Sequence, residues 1–245
     1  MHDEGELTVG RLSEDERLAI SAYAARASWP EGFQIYERGA IADGIFLVVR
    51  GCVVLRSRVR TGRGFVPWVA TVGETFGAEG LANNSVYATD ARADQETETL
   101  YLSTAKMRAF VREQPTHALT LIGQVMGERV SLLEKLRELT TLSVEQRLLA
   151  SLRRMGNHAG FLDAMGRIEL STPRYRLLCE LVGATRESVS LVLGRLTGEG
   201  LAERVGSTLF VTPSVRLFER LAGGADTGSL AARLGESSPS ANELQ

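Results

Sequence analysis

Thr185, Arg186, Glu187 and Ser188 stand in succession, directly ahead of an apolar pattern at Val189, Val192, Leu193 and Leu196. Those four polar side chains supply what hydrogen-bond readout of a nucleic acid needs: a planar five-donor fork, a carboxylate acceptor and two hydroxyls. The apolar positions recur every three to four residues, so they share one face of a helix whose first turn carries the polar groups. Ahead of it, a helical run over residues 175–182 stops at Gly183, which tolerates the left-handed backbone of a tight turn. Helix, short glycine-containing turn, then helix with donors at its N-terminus is the layout of a DNA-binding helix-turn-helix. Charge supports this only locally. The whole chain carries a net charge of −2. Between Thr172 and Thr197, however, Arg174, Arg176, Arg186 and Arg195 outnumber Glu180 and Glu187.

The rest of the chain must position that helix. Ser13 and Glu16 form the S-x-x-E of a capping box, and the helix they open is predicted to run to about Ala27, before Trp29-Pro30. Over residues 32–102 the texture changes to short β-rich runs separated by glycines: 45–49, 52–55, 65–71 (interrupted by Pro67) and 97–102. Such spacing predicts a barrel, sandwich or roll. Helix returns at Thr104 and pauses at Gln114-Pro115. A long helix is predicted over residues 116–142, with Ala118, Ile122, Val125, Arg129, Leu132, Leu136 and Leu139 at heptad spacing. This row predicts either a dimerisation seam or a helix packed on its own domain; Arg129 within it needs a partner or sets register. Ser143 suits the N-cap of a helix to about Asn157, and residues 168–170 a short strand. Thr172-Pro173 reads as N-cap and first helical residue. Residues 200–211 read as two strands about a turn at Gly206-Ser207, the wing of a winged helix. The expected fold class is α+β. A sensor domain spans 1–114, a dimerisation helix and hinge 115–142, and a winged helix-turn-helix 143–222. Residues 223–245 form a tail without an apolar face.

This order resembles the Crp/Fnr family of bacterial regulators over residues 30–215. The most specific match is V-G-A-T-R-E-S-V at residues 182–189, similar to the family's V-G-x-[ST]-R-E-[ST]-V. Gly39, Asp43, Leu47 and Gly51 fit the first hairpins of its cyclic-nucleotide-binding-like roll. Phe76-Gly77-Ala78-Glu79 is similar to the opening of its phosphate-binding cassette. The resemblance implies a cytoplasmic homodimer that places each second helix in a major groove of a pseudo-palindromic duplex, with RNA polymerase as a further partner. It implies that Arg186 reads guanine O6 and N7 and that Glu187 accepts from a cytosine amino group. Thr185, Ser188, Ser190 and Arg176 fall among the DNA-contacting positions, the hydroxyls and Arg176 toward the backbone. Leu191 departs from the pattern: many members carry there a further base-reading arginine, and leucine cannot donate to guanine.

The sensor departs more. In the family a glutamate holds the ribose, an arginine further along holds the phosphate, and hydroxyl residues on the long helix contact the base. Gly77, Glu79, Tyr87, Thr89, Leu132 and Leu133 are the candidate pocket residues here. Glu79 fits its place, but the following segment is short and Tyr87 stands where the arginine belongs. Leu132 and Leu133 occupy the hydroxyl positions, and Arg92 lies too far along the next strand. A buried phosphate without a cation or equivalent donors costs several kcal/mol. The usual cAMP mode is therefore expected to be lost, leaving an unknown effector or none, with Glu79 accepting backbone N–H groups. Two readings stay open beside this one: a cAMP-responsive regulator with a remodelled pocket, and a cyclic-nucleotide-domain protein that does not bind DNA.

Composition narrows the remaining classes. A 44% hydrophobic, 24% charged chain is ordinary for a globular protein. No apolar run approaches the roughly 20 residues a membrane span needs, and the acidic N-terminus is unlike a signal peptide. Cys52 and Cys179 lie far apart, giving no disulfide framework, zinc spacing or cluster ligand set, and point to a reducing compartment. His2, His117 and His158 belong to no metal or catalytic motif. No cofactor, metal or enzymatic activity is expected.

Overall fold

The computed structural model describes residues 12–58, 64–82 and 84–222. Helix α1 (Glu14–Ser21) opens on the expected box: the Glu16 N–H donates to Ser13 Oγ, and the Ser13 N–H to the Glu16 carboxylate. Short strands follow: β1 (Ala25–Trp29), β2 (Gln34–Tyr36), β3 (Ile41–Ala42), β4 (Gly44–Arg50) and β5 (Cys52–Arg58). Then come β6 (Gly64–Thr71), β7 (Thr75–Phe76), β8 (Ser85–Val86), β9 (Asp90–Ala93) and β10 (Thr97–Ser103). Helices α2 (Thr104–Glu113) and α3 (Pro115–Thr141) complete the first half. The second half runs α4 (Val144–Gly156), β11 (Ile168–Leu170), α5 (Thr172–Val182) and α6 (Arg186–Gly198). The wing strands β12 (Ala202–Val205) and β13 (Thr208–Val211) follow, then α7 (Val215–Ala222).

Two antiparallel sheets, in the orders β1-β10-β4-β7 and β2-β9-β5-β6, form the roll. Side-chain alternation along the strands assigns each face. Phe46 and Val48 of β4 meet Val53 and Leu55 of β5 inside the roll, with Tyr36, Phe76 and Tyr87. Their neighbours Ile45 and Leu47 point the other way, onto Ile20, Met107, Phe110 and Leu121 of the helices. β4 is therefore buried on both faces. On the second sheet, Cys52 and Val54 face outward and join Val66 in one apolar cluster with Leu148, Leu177, Val189 and Leu209 of the C-terminal half. Arg56 continues this outward row and pairs with Glu180 of α5 at 2.7 Å. Pro67 is accommodated because β6 is an edge strand.

Three local expectations shift. The first helix ends at Ser21 rather than near Ala27, because residues 25–29 pair with β10. There Trp29 Nε1 donates to Thr99 Oγ1 at 2.9 Å. Ser171, not Thr172, is the N-cap of α5, placing Thr172 and Pro173 in its first turn. Helix α7 closes the C-terminal half where no element was expected. The N-cap at Ser143, the short strand β11 and the wing stand where the sequence put them, and Gln146 completes a capping box with Ser143. The expected tail at 223–245 lies outside the described residues.

Candidate nucleic-acid interface and sensor pocket

Helix α5 ends on Gly183 at φ +63, in the left-handed region, and a Cβ there would sit 2.9 Å from Leu139 Cδ2. The turn geometry thus favours glycine, and any side chain there would also have to push the end of Leu139 aside. Thr185 then caps α6: its hydroxyl accepts from the Ser188 N–H at 3.3 Å and lies 3.0 Å from Ser188 Oγ. Val189, Val192, Leu193 and Leu196 bury one face of α6 in the C-terminal core. The opposite face leaves Arg186, Glu187 and Ser190 exposed, with Leu191 68% exposed beside them. Backbone N–H donation at the helix start, with Thr185, holds the Glu187 carboxyl below its ordinary pKa, so it is an acceptor at neutral pH.

A groove of about 330 Å³ runs between α5, α6 and the wing. Arg186, Glu187 and Ser190 line it, joined by Tyr175 of α5 and by Arg204 and Ser207 of the wing. The last three escaped the sequence reading, although two exposed polar residues flanking a wing turn were a usable signal. Arg176, expected at a DNA-backbone position, lies outside this groove. It lines a separate cavity of about 560 Å³ between α5 and the roll, with Arg92, Arg56 and Glu180. Helical spacing explains the split: Thr172 and Tyr175 share the groove side, whereas Pro173, Arg176 and Glu180 share the roll side.

The roll brings Gly77, Glu79, Tyr87 and Thr89 together around Tyr36. Tyr87, 4% exposed, stacks on Tyr36 with ring centroids 3.7 Å apart and planes 9° off parallel. Gly77 is at φ +75, and a Cβ on it would lie 3.1 Å from the Tyr87 ring and 3.3 Å from Tyr36. A side chain there would be strained at this φ, and the two rings would have to give by a few tenths of an ångström to admit it. Glu79 Oε1 accepts from the Ala88 N–H at 3.0 Å, closing its own loop. Burial, followed by the charge of Glu79, raises the Tyr36 pKa, so the phenol stays neutral. Arg92 leaves the pocket altogether: between the inward Ala91 and Ala93 it points outward, its Nε donating to the Gly32 carbonyl. Leu132 and Leu133 are exposed on α3 rather than joined to the roll core.

Glu128 of α3 has an enclosed Oε2 without a hydrogen-bond partner among the described residues. Burial, with Glu79 and Glu74 nearby, pushes its carboxyl up to about 7. A carboxyl raised in the folded state favours folding below its unfolded pKa and loses that stabilisation as pH rises through the folded value. Glu128→Gln should therefore melt higher than the parent at pH 8 by a few degrees (about 2–4 °C per kcal/mol), with the gap closing in mild acid. Calorimetry at pH 5 and pH 8 checks this, and a constant gap would contradict it.

Along α3 the exposed apolar row is Leu119, Ile122, Met126, Leu133 and Leu136, with exposed Arg129 in the open slot. Leu119 is 70% and Leu133 60% exposed. The outward apolar row thus lies about one position from the expected heptad row. Ile122, Arg129, Leu132 and Leu136 do face outward, but Ala118 and Val125 pack on the first-half core and Leu139 against Gly183.

The C-terminal end of α3 grips the reading module. Lys135 Nζ donates to the Leu181 carbonyl, and Arg147 Nε to the Val182 carbonyl at 2.9 Å, so two cations cap the last turn of α5. Glu138 receives Arg154 through both oxygens at 2.5 and 2.9 Å and lies 3.4 Å from Lys135. Burial and the neighbouring Arg154 bring the Lys135 ammonium down to about 8, against the pull of Glu138.

Comparison with known proteins fits this geometry. Residues 26–114 match the cyclic nucleotide-binding domain family. The chain is 30% identical over 215 residues to the cyclic AMP receptor protein of Thermus thermophilus, covering 88% of this chain and 95% of that one. It belongs to the Crp/Fnr family. The cAMP-activated global transcriptional regulator Vfr of Pseudomonas aeruginosa is 24% identical over 197 residues, covering 78% of this chain and 91% of Vfr. Among solved structures, the c-di-GMP-responsive global regulator CLP of Xanthomonas campestris superposes with a TM-score of 0.69 at 19% identity, over 82% of this chain and all of CLP. FixK2 of Bradyrhizobium japonicum gives 0.67 at 21%, over 82% and 96%. This Crp/Fnr chain is a DNA-binding transcriptional regulator, and its relatives are regulators rather than enzymes. Among the described residues, no cluster of His, Cys, Asp and Glu is fit to hold a metal, and no helix is long and apolar enough to cross a membrane. Burial pushes the Cys52 thiol up to about 12 and raises that of Cys179, which keeps both in the less reactive protonated form.

Proposed function

We propose that this regulator works as a homodimer on a pseudo-palindromic DNA site, and that cAMP does not bind its sensor in the family's usual mode. Arg186 and Glu187 read bases; Thr185, Ser188 and Ser190, with Arg204 and Ser207 of the wing, lie along the phosphate path. Exposure of Arg186 and Glu187 on a capped helix beside a wing supports the reading role. The apolar row on α3 supports the dimer, since burying Leu119, Ile122, Met126, Leu133 and Leu136 against a second copy removes a stripe that a monomer leaves in water.

The sensor reading is carried by the Tyr36–Tyr87 stack. It fills the space over Gly77, Glu79 is committed to Ala88, and the Arg92 guanidinium faces away. A cyclic phosphate there would face tyrosine rings and the Glu79 carboxylate, with the Arg92 guanidinium turned away. Sedimentation together with mobility shift on genomic fragments, with and without cAMP, tests all three parts. A dimer that shifts DNA equally in both conditions is expected. A marked rise in DNA affinity with cAMP would instead establish a remodelled pocket, and failure to shift any fragment would remove the DNA-reading role.

A further inference from the structure

Arg186 occupies the first turn of α6, where the positive end of the helix dipole gives a cation nothing. It is also exposed and long, so an unrestrained side chain would lose rotamer freedom on meeting a base edge. The structure restrains it from another element. The Arg186 guanidinium carbon lies 5.5 Å from the centroid of the Tyr175 ring, within the range of a cation–π contact. Tyr175 is fixed in turn: it is half-buried, packs on the apolar cluster of the C-terminal half and sits on α5 facing the groove. Ser190, one helical turn beyond Arg186, lines the same groove. The ring therefore faces the polar side of the reading helix and touches its arginine.

We propose that Tyr175 is a positioning residue for base recognition, its ring holding the Arg186 guanidinium at the groove before DNA arrives. The inference rests on the reading that Arg186 contacts a base. A planar guanidinium lying along an aromatic face keeps its N–H edge free, so the contact restrains the donor fork without consuming it. Pre-organisation of this kind acts on specific binding alone. Non-specific association depends on phosphate neutralisation, to which a neutral tyrosine adds nothing.

The test is a binding selection on randomised half-sites, using the full-length dimer and the variants Tyr175→Phe, Tyr175→Leu and Arg186→Ala. Melting temperature and affinity for non-specific duplex are recorded alongside. Tyr175→Leu keeps apolar packing but removes the ring. It should weaken the preference at one base pair by roughly two- to fivefold, the range of an exposed cation–π contact. That base pair should be the one flattened by Arg186→Ala, with non-specific affinity unchanged. Tyr175→Phe keeps the ring and should retain the preference. If Arg186→Ala flattens a base pair while Tyr175→Leu leaves it intact, or if Tyr175→Leu weakens all sequences alike, Tyr175 does not position the reader. If Arg186→Ala itself changes no preference, the base-reading role fails first and the proposal falls with it.

Discussion

Glu138→Ala should lower the melting temperature by roughly 6–12 °C, from a loss of about 3 kcal/mol at about 2–4 °C per kcal/mol. Glu138 is buried between α3 and α4, and it is the common anion for Lys135 and Arg154. Removing it leaves the buried Lys135 donating to the Leu181 carbonyl, with Arg154 and Arg147 nearby and no anion between the cations. Breaking a buried pair from one side costs more than the pair contributes, because the remaining charge stays desolvated. The loss is set at about 3 kcal/mol, the low end for breaking a buried pair, because Arg154 is partly exposed and water screens its share. Burial alone would raise the Glu138 pKa, but Arg154, followed by Lys135, outweighs it and lowers the carboxyl. The stabilisation is therefore complete above the ordinary carboxylate pKa and vanishes as pH falls through the lowered value. Calorimetric scans of parent and variant should show the largest gap near neutrality and a narrowing gap in acid. A loss under about 1 kcal/mol at neutral pH would show the network to be slack.

Arg186→Ala carries the largest expected effect on recognition, about 1–3 kcal/mol against the preferred site. A bidentate contact to one guanine is the term removed, so the loss should be confined to that base pair. Because Arg186 also carries a positive charge near phosphates, the salt dependence should soften slightly on every sequence. The two parts separate in a titration series at several salt concentrations on the preferred site and on a site changed at that guanine. If the variant loses affinity equally on both duplexes, Arg186 neutralises phosphate and reads nothing. Leu191 is exposed where a further arginine is common in the family, so on the proposed reading Arg186 and Glu187 carry the half-site.

What the residues disclosed unaided follows the range of the interactions involved. Caps at Ser13 and Ser143, the turn at Gly183 and the wing about Gly206 are written within a few residues, and they stand where expected. The helix expected through Ala27 gives way to a strand at residues 25–29 because its partner is β10, distant in sequence, and nothing local announces that pairing. The outward apolar row on α3 differs from the expected heptad row for a different reason. This helix carries two neighbouring apolar rows, one for its own core and one facing out, which share Ile122, Arg129 and Leu136 in the reading. Periodicity cannot say which row the roll claims. Tyr87 was legible as the substitute for an arginine, but its stack on Tyr36 depends on β2 crossing beneath it. Tyr175 escaped for the same reason: its partner belongs to the next helix.

The apolar cluster that Cys52, Val54 and Val66 share with the C-terminal half has a thermal consequence. Any motion that parts the reader from the roll must wet those side chains, and hydrating apolar surface carries a positive heat capacity. The hydrophobic share of the work of separation therefore shrinks on cooling. Arg56 and Glu180, which bridge the same boundary, regain water in that motion and respond to salt instead. Low temperature and high ionic strength thus weaken this contact between reader and roll by independent routes.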